Sequence, residues 1–190
     1  MRVAWIVPLF VLCAPSAAGA QGVVEGQEAV EMKCVYAALT DAERAMLVRV
    51  DGASGTAEEI DQATDLIYRY AEVCAERHGW DGQQLVAAGG FALARTLYED
   101  KLAALPPRLP AESLEAAAAT LSDEDRYRFT SAGKAEFGVD PAWSARVEAA
   151  LSAAGVAQGD MGTAALYLGI FHDALYAMQV FHELWVEENR

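Results

Sequence analysis

Cys34, Cys74, His78, His172 and His182 are the residues of this sequence best suited to chemistry. Cys74 and His78 stand one helical turn apart, so a thiolate and an imidazole could share one helix face. Zinc would need four ligands, and neither C-x-x-C nor H-x-x-x-H accompanies them. His172-Asp173 and His182-Glu183 recur in similar contexts, Phe-His-Asp-Ala-Leu and Phe-His-Glu-Leu-Trp. Ten residues at about 100° each leave the two histidines roughly 80° out of register, so they do not converge on one point. A di-iron bundle needs Glu-x-x-His, and Gly169 and Gln179 occupy the glutamate positions.

Other motifs are weaker. Gly52-Ala53-Ser54-Gly55-Thr56 before a helix faintly resembles a phosphate cradle, without the lysine or the preceding strand. It reads as a turn. No G-x-S-x-G elbow is present. The acid pairs Glu58-Glu59 and Glu187-Glu188 belong on solvated faces. Trp80, Trp143 and Trp185 suit a core or a pocket rim. Gly89-Gly90 inside an apolar helix implies close approach by another helix, or room for a ligand. The sequence thus names no catalytic residue, no metal ligand set and no cofactor.

The cysteines are better explained by location. Residues 1–20 have the order of a secretory signal peptide: Arg2, an apolar run over 3–13 broken only by Pro8, and Ala18-Gly19-Ala20 for cleavage. The apolar run is too short for a permanent anchor. Leu12 before Cys13 argues against a lipoprotein. Cleavage near Ala20 leaves Cys34 and Cys74 as the only cysteines, in a periplasmic or secreted chain where disulfides persist. Both fall on apolar helical faces, so the reading is a disulfide between them. That bond closes a loop of about 40 residues and stabilises the fold by about 4 kcal/mol on chain-entropy grounds.

Net charge is −14 and moves to −15 once Arg2 is removed. Such a charge repels phosphate backbones and anionic lipid, which argues against nucleic acid and membrane surfaces. The most apolar later stretch, 164–186, carries His172, Asp173, His182 and Glu183. Charges at that frequency are costly in hydrocarbon, so no membrane span is expected in the mature chain.

The elements that must position these residues are helical. After a flexible lead (21–27), one domain over 28–190 is expected to be all-α, with six to eight helices. Val30, Cys34, Val35 and Ala38 make one apolar face. Thr40-Asp41-Ala42-Glu43 and Thr56-Ala57-Glu58-Glu59 are capping boxes. The second opens a helix whose expected buried stripe is Ile60, Ala63, Ile67, Tyr70, Val73 and Cys74, ended at Gly79. Asp81 caps a long helix through Leu85, Phe91, Leu93, Leu97 and Leu102. Pro110 opens another helix, Ser122 caps a short one, and residues 133–138 read as a break. Asp140-Pro141 starts a helix that ends at Gly155. Asp160 opens the last long helix. No stretch alternates as a strand would.

Order and spacing repeat between the halves. Leu39-Thr-Asp-Ala-Glu-Arg44 and Leu121-Ser-Asp-Glu-Asp-Arg126 match, 82 residues apart, and later helix starts lie 84 and 79 apart. Two related half-domains would produce this, and helix-cap preferences alone generate much of it. The functional expectation is a non-enzymatic binding protein for a protein or small ligand, recognisable by an exposed apolar groove. The rival is a small hydrolase or thiol-redox enzyme using His78, His172 or His182 with Cys74 or a carboxylate.

Overall fold

The structure, a computed structural model, describes residues 27–51, 55–138 and 140–188. The expected signal peptide, residues 21–26 of the lead, and residues 52–54 of the turn before Thr56 lie outside the described residues.

The fold is all-α: 83% of the described residues are helical, and none of them is in a strand. The described residues form ten α-helices rather than six to eight: α1 Gln27–Met32, α2 Cys34–Ala38, α3 Asp41–Arg49, α4 Ala57–His78, α5 Gly82–Ala104, α6 Ala111–Ala119, α7 Asp123–Tyr127, α8 Ser131–Phe137, α9 Pro141–Ala153 and α10 Met161–Glu188. Two departures account for the extra helices. The first expected helix is interrupted at Lys33, which keeps near-helical dihedrals (φ −81°, ψ −5°), so α1 and α2 follow in quick succession. The expected break at 133–138 is instead α8. Thr130 caps α8, its hydroxyl accepting from the Gly133 N–H at 2.9 Å. Gly133 serves close approach rather than chain breaking: a Cβ there would stand 2.1 Å from the Tyr127 carbonyl oxygen.

The caps follow local chemistry. Thr40 with Glu43, and Thr56 with Glu59, form reciprocal capping boxes, and Asp81 does the same with Gln84. Gly79 ends α4 at φ +77°, a left-handed conformation that costs glycine nothing. Pro141 occupies the first turn of α9 behind the Asp140 cap.

α5 and α10 pack along each other and hold two groups of shorter helices. Against α5 lie α2, α3 and α4; against α10 lie α6, α7 and α9. Two apolar cores result. One centres on Val35, Leu47, Cys74 and Phe91, the other on Leu114, Phe129, Leu151 and Tyr167. The long helices interlock them. Phe181 of α10 is buried in the first core, and Tyr98 of α5 packs on the second. Residues 158–187, a 3-10 turn (Gln158–Asp160) and most of α10, are long and apolar enough to cross a membrane by length and composition. In the fold, Ala164, Tyr167, Leu168 and Phe181 of this helix are core residues.

The expected buried stripe of α4 is corrected by the packing. Ala63 and Cys74 are buried, and Ile67 and Tyr70 are partly so, but Ile60 and Val73 are each 49% exposed. Leu66 and Ala71 fill the core instead. On α5, Leu93 and Leu102 are likewise exposed while Phe91 and Leu97 are buried.

Candidate binding groove

The apolar residues that α4 and α5 leave uncovered form an open groove of about 580 Å³. One wall is Ile60, Thr64 and Tyr68 of α4, and the other is Val86, Gly90 and Leu93 of α5; Leu47 of α3 and Val50 just past its end close it. Asp51 is its one charged lining residue among those described. The glycine pair builds the floor, and the two glycines do different work. Gly89 lets the helices meet, since a Cβ there would stand 3.0 Å from Ile67 Cγ2. Gly90 faces open space, with nothing within 4 Å of an added Cβ. The sequence reading offered close approach or room for a ligand; the structure has one at each glycine.

A second groove of about 610 Å³ runs between α5 and α10 and shares Asp51, Gly90 and Leu93 with the first. Leu166, 55% exposed, adds apolar surface there. Lys134 borders it, its Nζ lying over Gly169, where a Cβ would stand 3.2 Å away. Apolar area open to water is costly, and contiguous patches of it mark sites of binding.

The residues singled out for chemistry do not gather in either groove. Cys34 and Cys74 are bonded, Sγ to Sγ at 2.08 Å with Cα atoms 6.0 Å apart. Cys74 therefore has no thiol to share with His78, which stacks on Trp80 at 5.3 Å between ring centroids. His182 Nδ1 lies 2.8 Å from Glu28 Oε1 in an exposed pair.

His172 is different. It is buried, stacked on Phe129 at 5.3 Å, and its Nε2 has no hydrogen-bond partner among the described residues. Burial pushes its pKa down to about 4, and Arg126 adds to the shift, so the ring is neutral at physiological pH. It lines a third cleft, about 400 Å³, with Glu115, Asp123 and Arg126. Those groups are engaged elsewhere. Glu115 accepts from the Tyr167 hydroxyl, and Arg126 pairs with Asp123 while donating to the Ala119 and Leu121 carbonyls. Asp173 next to His172 accepts from the Ser131 N–H and hydroxyl, at 2.6 and 2.9 Å. Among the described residues no three His, Cys, Asp or Glu side chains converge as metal ligands.

The three described tryptophans are structural. Trp80 and Trp185 both donate to Glu31 Oε2, at 3.3 and 3.2 Å, and Trp143 donates to the Asp125 carbonyl at 3.1 Å.

What sequence reasoning missed was the α4–α5 groove itself. A signal was present. On α4 the apolar residues run from Leu66 and Tyr70 through Ile60 to Tyr68, an arc well beyond the roughly 100° stripe that one core face needs. The surplus side of that arc is the groove wall.

Comparison with protein-family models, curated proteins and solved structures finds no match.

Proposed function

We propose that this chain is an exported, non-enzymatic binding protein whose ligand lies in the groove between α4 and α5. One observation carries the reading: Ile60, Tyr68, Val86 and Leu93, four large exposed apolar residues, face one open groove above a glycine that leaves it empty. The compartment rests on the order of residues 1–20 and on a cysteine pair suited to an oxidising environment.

The rival enzyme reading rests on His172, the one histidine both buried and in a cleft. Its neighbouring carboxylates hold other partners, so no His–carboxylate dyad supports general-base chemistry there. Binding is favoured. We also read the two halves as related. Arg44 and Arg126, equivalent in the repeated motif, each pair with the aspartate three residues earlier and donate to a carbonyl in the last turn of the preceding helix, Tyr36 and Ala119 respectively.

The test is uptake of an apolar fluorescent probe, N-phenyl-1-naphthylamine, by protein purified from periplasm. Saturable enhancement that Gly90→Leu removes, with helical content unchanged, supports the groove. Equal enhancement in wild type and Gly90→Leu, or none in either, overturns it. The intact mass of the exported protein tests cleavage near Ala20 separately.

A further inference from the structure

The chemistry of the groove's occupant can be taken further, on the reading that the groove binds. We propose that it receives a basic amphipathic helix of a partner protein, apolar face inward and cationic flank over α4. Two features of α4 point this way.

The first is the acidic border. Asp61, Asp65 and Glu72 lie within about 40° of one another around α4, on the side immediately beyond Tyr68. All three are exposed, and among the described residues none of their side chains has an ion pair or hydrogen bond. Among the described residues the lining holds no lysine or arginine, and Asp51 adds a further negative charge. A chain of net charge −14 reinforces that local field. A cationic flank is thus attracted and an anionic one repelled.

The second is the spacing of the walls. Ile60, Thr64, Ile67 and Ala71 recur at helical intervals along α4, and Val86, Gly90 and Leu93 do so along α5. From residue 60 to 71 the wall is about 16 Å long, three turns of a helix. Side chains at i, i+4 and i+7 of a docked helix would meet that periodicity, and Gly90 leaves a hole for one of them. The described residues offer no strand edge to which an extended peptide could add.

The experiment uses synthetic 14-residue peptides, with N-phenyl-1-naphthylamine in the groove as a displacement reporter. One peptide has a leucine face and a lysine face. The second replaces lysine by glutamate, and the third scrambles the first so that no apolar face forms. The lysine helix is expected to displace the dye, more weakly as salt rises, whereas the other two leave it bound. Asp61→Asn/Asp65→Asn/Glu72→Gln should weaken the lysine helix roughly tenfold while the dye still binds, and Gly90→Leu should abolish binding of both. Equal binding of the lysine and glutamate helices, or no effect of the triple variant, overturns the basic helix and leaves the groove intact. Dye uptake without displacement by any helix does the same and favours a small apolar ligand. Lysine-helix binding, read by calorimetry, that survives Gly90→Leu assigns the contact to charge alone and also overturns the proposal.

Discussion

In the first half of the chain, α2 packs against α4 and both lie on α5; in the second, α6 packs against α9 and both lie on α10. The same contact pattern is secured by different means. The first half has its disulfide, and its ion pairs, such as Arg44–Asp41 and Arg95–Glu99, are mostly local. The second half has no cysteine and is crossed by longer-range pairs, Arg108–Asp160 and the bidentate Arg146–Asp125, the latter on a buried carboxylate. Exposed apolar residues divide unequally as well. Among the described residues, seven of the ten large ones stand before residue 105, and four of those seven face the α4–α5 groove. A half that leaves so much apolar surface open withholds it from its own core, and a covalent clamp offsets that loss. α4 runs 22 residues and reaches Cys74, whereas its counterpart α9 stops after 13, so the clamp has no place in the second half.

Cutting the clamp should show this inequality most clearly. Cys34→Ser, or reduction of the wild type, is expected to cost about 4 kcal/mol and lower the midpoint of thermal unfolding by roughly 10 °C. Amide exchange should rise more in α2 and α4 than in α6 and α9. Equal rises in both halves would break the comparison.

The second half should show its own weakness in acid. His172 is neutral and buried with its folded pKa near 4, against about 6.5 when unfolded. Its contribution is complete above pH 6.5, is lost as pH falls towards 4, and reaches about 3 kcal/mol of lost stability below that. Asp125, held below the usual carboxylate range by the Arg146 hydrogen bonds, loses its contribution only under still more acid conditions. Urea unfolding at pH 7, 5.5 and 4.5 checks the window, and His172→Phe should flatten it. A wild type equally stable at all three values would refute the assignment.

Two helical glycines, one in each half, sharpen the contrast at smaller scale. Gly133→Ala forces a Cβ against the Tyr127 carbonyl, so α8 must shift, at the upper end of the about 1–3 kcal/mol typical of overpacking. Gly90→Ala meets nothing and should stabilise α5 by about 0.5–1 kcal/mol, because glycine is the poorer helix former. Thermal melts of the two variants should move in opposite directions. Movement in the same direction would mean that the groove floor is not empty.

Helix starts were the most legible part of the sequence, because a cap is decided within four residues. Thr40, Thr56, Asp81, Ser122 and Asp140 each hold a backbone N–H two or three positions ahead, as their side chains and spacing require. The disulfide could also be read, since only one pairing exists once Cys13 is set aside. The candidate site could not. Leu93, Val86 and Ile60 are apolar residues in helices, and nothing local separates them from Phe91 or Ala63, which are buried. That separation is made by which helix comes to lie alongside.

The sequence by itself therefore determined the helical class, the caps and, once Cys13 is set aside, the Cys34–Cys74 bond, because each depends on neighbours along the chain or on a count. Only the tertiary structure decided that Gly89 would be closed by Ile67 while Gly90 stayed open, and that His172 would be sealed against Phe129 while His182 stayed at the surface. Burial is a property of what packs from elsewhere in the chain, and residues with the same local pattern receive different partners.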